Sequence, residues 1–155
     1  MENKGKNAIL HCTSPRCKMA LWRFLDYCTD HEVPINLIQD WYGKQDLDVQ
    51  AEFDATVRIL AATEDWRKAK EFKVLKKRHA GLGELRFAVR KRKRGKDEIR
   101  RFRPVGIWRE NTREFVFLVG CEKALGLYMP ADAFDLALVY KNKLERGEGE
   151  TCEHY

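Results

Sequence analysis

Glu84-Leu85-Arg86-Phe87-Ala88-Val89-Arg90 decides the fold class. Apolar and polar residues alternate strictly through it. Leu85, Phe87 and Val89 share one face, and Glu84, Arg86, Ala88 and Arg90 share the other. That period of two is the mark of a half-buried β-strand. Gly81-Leu82-Gly83 punctuates the chain just before it. Lys91 to Glu98 reads as a basic hairpin tip turning near Gly95, and Ile99 to Trp108 as the returning strand. Pro104 within that strand cannot donate to a ladder, so it implies an edge position or a bulge. Glu110-Asn111-Thr112-Arg113 is a further turn. Phe115-Val116-Phe117-Leu118-Val119 is apolar on both faces and reads as the central strand. Strands joined by hairpins predict an antiparallel sheet.

Outward from this meander the pattern changes to helical spacing. Val49, Phe53, Val57, Leu60 and Ala61 recur every three to four residues and predict a helix over about 47–62. Trp66, Ala69, Phe72 and Leu75 predict a shorter, very basic helix. Pro130 opens a last helix with Phe134, Ala137, Leu138, Tyr140 and Leu144 inward. Ser14 and Pro15 suit the N-cap and first position of a helix running to about Cys28, with Met19, Trp22 and Leu25 as its stripe. Val33, Ile35, Leu37 and Trp41 suggest a first strand. The expected class is α+β, an antiparallel β-sheet with helices packed on one face. Residues 1–31 form a helical extension in this reading, 32–146 the main domain, and 147–155 a disordered acidic tail.

The chain has 155 residues and a net charge of +6, unevenly spread. Residues 67–103 hold seventeen Lys or Arg and four acids, a net +13; the remainder holds 13 bases and 20 acids, a net −7. A basic middle in an acidic chain is the footprint of a polyanion contact. The longest strongly apolar run, Phe115–Val119, is far short of the ~20 residues a bilayer needs. No apolar signal core follows the N-terminus, and the five cysteines follow no disulfide framework, so the expected location is the cytoplasm, with no membrane contact. No GxGxxG, GxxxxGK[ST], HExxH or GxSxG motif occurs. His11, Cys12, Cys17, Cys28 and His31 lack the spacing of a zinc finger or ribbon, and no metal or cofactor is expected.

Three pieces in order, the first in two parts, carry a resemblance. They are Phe72-Lys73-Val74-Leu75-Lys76-Lys77, then Gly81 to Phe87, then Phe102-Arg103-Pro104-Val105-Gly106-Ile107-Trp108, and finally Phe117 to Lys123. Over about residues 35–146 the chain resembles the RelE/ParE/HigB superfamily of small bacterial toxins, most closely its phage-derived HigB-like branch. The resemblance implies a RelE-like domain that is the toxin of a type II toxin–antitoxin system. It would act as a ribosome-dependent, metal-independent mRNA endoribonuclease (an mRNA interferase), with a cognate antitoxin, the ribosome and mRNA as partners. The last loop, Glu122 to Pro130, lacks most of the polar and basic groups that the family carries there. Two other readings therefore stand beside it: a non-catalytic ParE-like inhibitor of DNA gyrase, and a non-toxic basic nucleic-acid-binding domain of phage origin.

RNA cleavage needs charge stabilised on a phosphorane, which Arg and Lys can do. By position, the resemblance assigns that role to Arg86, Arg103, Lys76, Lys77 and Lys123. The basic segment adds Lys73, Arg78, Arg90, Lys91, Arg92, Lys93, Arg94 and Arg101 as backbone contacts. Trp108 is a candidate base-stacking residue; its plainer role is core packing, as for Trp22, Trp41 and Trp66. His79 suits a general base by its ordinary pKa, without support from the resemblance.

Overall fold

The structure is a computed structural model and describes residues 20–154. Its elements run β1 (Arg23–Cys28), α1 (Leu37–Gly43), α2 (Leu47–Ala61), β2 (Phe72–Val74), β3 (Leu82–Leu85), β4 (Phe87–Lys93), β5 (Lys96–Phe102), β6 (Val105–Arg109), β7 (Glu114–Val119), β8 (Glu122–Ala124), β9 (Leu127–Met129), α3 (Ala133–Glu145) and β10 (Glu150–Glu153). Two open sheets result. One has the order β10-β1-β7-β6-β3-β2 and the other β4-β5-β8-β9. Every pairing is antiparallel except β1 with β7. The class is α+β.

The two long strands of the meander each break once. β3 passes into β4 at Arg86, and β5 into β6 at Arg103-Pro104. The register is the same on both sides of the break: Glu84 opposes Val105 above it, and Phe87 opposes Phe102 below it. Arg86 therefore lies opposite Arg103. Pro104 has no N–H to give, yet its carbonyl accepts from Leu85 N at 2.8 Å. At the far end Arg94 and Gly95 both have positive φ, 51° and 76°, the pair of values that closes a two-residue hairpin.

β7 is the central strand that its two-sided apolar pattern predicts. Phe115, Val116, Phe117 and Leu118 are all fully buried. Alternation sends Phe115 and Phe117 to an aromatic side with Phe24, Phe53, Trp66 and Phe72. It sends Val116 and Leu118 to an aliphatic side with Leu25, Leu82, Val105 and Ile107. α1 and α2 close the aromatic side through Ile38, Val49, Phe53 and Leu60. α3 closes the aliphatic side, its Ala133 and Ala137 letting the helix sit close to the sheet. Helices thus cover both faces of the six-stranded sheet, not one, because β7 and β1 are buried on both sides.

Four local expectations are corrected. Residues 23–28 of the supposed N-terminal helix are strand β1. The three-residue spacing of Trp22 and Leu25 imitated a helix, but Phe24 and Leu25 pack on opposite sides of the sheet. Residues 1–19 lie outside the described residues. Val33 to Trp41 is not a strand. Val33 and Ile35 are exposed, Ile38 is buried, and Asn36 caps α1 by accepting from Gln39 N at 3.0 Å. The basic helix expected from Trp66 is a short 3-10 turn (Trp66–Lys68) followed by β2, where Phe72 pairs with Leu85. Finally, the acidic tail is not disordered through its length. β10 pairs with β1, and His154 Nδ1 lies 2.7 Å from the buried Asp26. Gly149 makes this return possible: its φ is +102°, and a Cβ there would sit 2.6 Å from the Cys28 carbonyl oxygen.

Two predictions follow from the packing. Phe53 is fully buried against Phe117 and Phe87, with ring centroids at 5.3 and 5.9 Å. Phe53→Ala should lose about 3–5 kcal/mol in urea unfolding. Lys91's hydrogen bond lowers the Asp46 pKa from 3.8, and that of Arg23 lowers the Glu153 pKa from 4.5. A carboxylate with a depressed folded pKa stabilises above its unfolded value, and that gain is lost as pH falls through the folded one. Melting temperature should be flat above about pH 5 and fall below about pH 4, less steeply in Asp46→Asn and Glu153→Gln.

Candidate nucleic-acid interface

The four-stranded sheet has two unlike faces. Phe87, Val89 and Phe102 turn toward α2, and two charges on that face pair within the protein. Arg100 makes a two-armed contact with Glu122, 2.9 Å for each arm, and Lys91 donates to Asp46 at 2.7 Å. The opposite face is set by cross-strand register. Ala88, Arg101, Lys123 and Tyr128 form one row across β4, β5, β8 and β9. Arg86 and Arg103 form the next row, and Arg103 N donates to Cys121 O at 2.8 Å. Directly opposed residues share a face, so four cations stand together: Arg86, Arg101, Arg103 and Lys123. Among the described residues Arg101, Arg103 and Lys123 have no carboxylate partner. An open cavity of about 690 Å³ is lined by Arg101, Arg103, Glu122 and Lys123. A second, of about 470 Å³, is lined by Lys70, Arg86, Arg101 and Arg103 together with Glu52 and Glu71.

Glu84 anchors the upper edge of this face. Its side chain is 1% exposed. It accepts from Arg86 Nε at 3.0 Å and from the Tyr128 hydroxyl at 3.1 Å. A buried carboxylate needs such partners, since an unpaired one carries a large desolvation cost. Burial, then the Glu84 charge, push the Tyr128 phenol up to about 12. It is a hydrogen-bond donor throughout the physiological range. Burial lowers the Arg103 pKa, Glu84 acts against that, and Arg86 adds to it. Arg103 Nη1 is steadied by the carbonyls of Phe102 at 2.7 Å and Phe87 at 3.3 Å. Lys123 Nζ lies 5.3 Å from the Tyr128 ring centre. Two guanidinium groups opposed across a strand pair repel each other, and an anion seated between them relieves that repulsion.

The structure brings together Arg86, Arg103, Lys123 and Arg101 from the expected set. Arg90 follows on the same face opposite Ile99, with Asp97 3.7 Å away. Arg92, Lys93 and Arg94 form the exposed tip and make no ion pair among the described residues. Lys91 turns to the other face. Lys73 stands opposite Glu84 on β2, at the sheet edge. Lys76 and Lys77 are not at a helix end. Lys77 opens a 3-10 turn, Lys77–His79, and no hydrogen bond among the described residues links either lysine to the arginine rows. Arg78 and His79 are tied to Asp135 at the start of α3, at 3.3 and 2.9 Å, which places His79 outside the cluster. Trp108 is half-buried between the Trp22 stack, 6.4 Å away, and the Arg67 guanidinium, 5.3 Å from its ring. Its packing is that of a core residue.

Sequence reasoning missed Glu84, which strand alternation assigns to solvent. The β8–β9 hairpin covers it. A weak signal existed in an acid set two residues before an arginine within a basic segment. Among the described residues no group of three or more His, Cys, Asp or Glu is arranged to hold a metal ion; His11, Cys12 and Cys17 lie outside them. Among the described residues no helix is long and apolar enough to cross a membrane. No family model, curated protein or solved structure matches the chain.

Tyr128→Phe should remove one phenol that titrates near pH 12. The difference in absorbance near 295 nm between the two proteins should show no ionisation of this group below about pH 11.

Proposed function

We propose that this chain is a RelE/HigB-like toxin, a metal-independent endoribonuclease that cuts mRNA on the ribosome in the cytoplasm and is neutralised by a cognate antitoxin. The observation that carries the reading is the opposed pair Arg86 and Arg103, set in a face that also presents Arg101 and Lys123. Together they offer a phosphodiester two sets of N–H donors. Arginine donates through a planar fork that matches phosphate oxygens, and its charge survives at any working pH. Most of the resembling residues also lie on the neighbouring strands β2, β3, β6 and β7 of the six-stranded sheet, and the last piece runs on into β8 of the other sheet. The +13 segment contributes the hairpin that extends this face, a further surface for RNA backbone.

In this mechanism Arg86 and Arg103 hold the scissile phosphate and stabilise the charge that grows on it as the 2′-oxygen, its proton passing to water, attacks phosphorus; the P–O5′ bond breaks, and the 5′-oxygen leaves with a proton from water. Lys123 and Arg101 hold neighbouring phosphates. Glu84 accepts from Arg86 Nε and takes the one phenol proton of Tyr128, so it orients the arginine and leaves its outer N–H groups to the phosphate. A second reading, a ParE-like toxin that binds DNA gyrase without chemistry, is favoured by one observation. Glu84, the carboxylate of the cluster, is buried and doubly bonded, a poor position for abstracting a proton.

Added to a translating extract, the protein should produce discrete mRNA cuts that require the ribosome. Arg103→Ala should lower the cutting rate about 100-fold or more with an unchanged circular dichroism spectrum. Intact message together with inhibited gyrase supercoiling would replace the nuclease reading with the second one.

A further inference from the structure

We propose that Cys28 and Cys152 are a thiol pair that closes into a disulfide and staples the C-terminal strand β10 to the sheet. The two cysteines are 124 residues apart in sequence, and their Sγ atoms lie 2.8 Å apart in the fold. β1 and β10 are hydrogen-bonded neighbours, with Cys28 opposite Glu150 and Asp26 opposite Cys152. The thiols are thus diagonal neighbours on one face of the strand pair. A disulfide bond is about 2.0 Å long, so closure takes a sulfur displacement of under ~1 Å, within reach of side-chain rotation. The third described cysteine does not compete: the Cys121 thiol is buried and donates to the Arg103 carbonyl oxygen at 2.7 Å.

The two sulfurs differ in the way that exchange chemistry uses. Cys152 is partly exposed on the edge strand, whereas Cys28 is buried, and burial first, then the bond to Cys152, push its thiol up to about 12. Cys152 therefore meets a small disulfide oxidant of the glutathione class first. Its thiolate attacks one oxidant sulfur, forms a mixed disulfide, and expels one thiolate that takes up a proton. Cys28 then gives its proton to water and attacks Cys152 Sγ, expelling the second thiol. Two protein thiols lose two electrons, and one small disulfide is reduced to two thiols.

The staple matters because β10 is an edge strand of four residues. It is held by its ladder to β1, the exposed Arg23–Glu153 pair, the His154–Asp26 contact and the bond from the Tyr27 hydroxyl to Glu148 O. Crosslinking a loop of this length removes much of the unfolded chain's freedom.

The full-length protein, equilibrated with glutathione disulfide, alkylated and digested, should yield a Cys28–Cys152 linked peptide. Its melting temperature should exceed that of the reduced protein by about 10 °C and return on treatment with dithiothreitol. Cys152→Ser should lose both the peptide and the shift, while Cys121→Ser should keep the oxidation-dependent shift. The proposal is overturned if Cys28 stays alkylatable after oxidation, if Cys152 pairs with Cys12 or Cys17 instead, or if the shift survives in Cys152→Ser. None of these readouts involves RNA, so they stand apart from the nuclease reading.

Discussion

One long strand pair that bends without losing its register organises the molecule. β3–β4 and β5–β6 are a single hairpin interrupted at Arg86 and at Arg103-Pro104. Proline cannot donate to the ladder, so regular pairing stops there. The same register on both sides nevertheless keeps one continuous face. Above the break that face belongs to the six-stranded sheet and is roofed by α3. Below it, the face belongs to the four-stranded sheet and opens to solvent. The two arginines at the break are forced into opposition by the register, and Glu84, the last acid above it, is buried under Tyr128. A row of cations beside a satisfied buried carboxylate is the direct product of that geometry.

The bend is affordable because the rest of the fold holds the upper half rigidly. β7 is buried on both faces and pairs with β6 on one side and β1 on the other. β1 comes from the start of the described chain and β10 from its end, so that edge of the sheet is held by contacts of long sequence separation. Aromatic rings fill one side, with Phe53 of α2 wedged among Phe87, Phe117 and Trp41. Aliphatic side chains and the alanines of α3 fill the other. α2 also reaches the four-stranded sheet, because Asp46 at its start binds Lys91 and lies 3.5 Å from Arg100. The lower sheet is thereby fixed on its inner face and free on its outer one.

What could be read from the sequence was what local periodicity controls. The alternation at Leu85, Phe87 and Val89, the turn at Gly95, the two-sided β7 and the spacing of Val49, Phe53 and Leu60 all appear as expected. Elements whose identity depends on distant partners were hidden. β1 is buried on both faces, with Asp26 among its buried residues, and so has no alternation to detect; β2 and β10 are three and four residues long and exist through pairing. The break at Pro104 was visible as an irregularity, but not its consequence, since register requires both strands. That the arginines of the cluster belong to a strongly basic segment was legible from charge. The burial of Glu84 and the nearness of Cys28 to Cys152 were not, because each depends on chain segments 44 and 124 residues apart.

The central claim is that the opposed arginines at the break form a phosphate-binding centre. Nuclear magnetic resonance of the arginine Nε–H groups tests it directly, with a short single-stranded oligoribonucleotide titrated into the labelled protein. The account predicts saturable shifts at Arg86, Arg101 and Arg103, accompanied by the Tyr128 ring, while Arg67 and Arg109 stay unmoved. Shifts confined to Arg92 and Arg94 at the hairpin tip, with Arg86 and Arg103 silent, would contradict it.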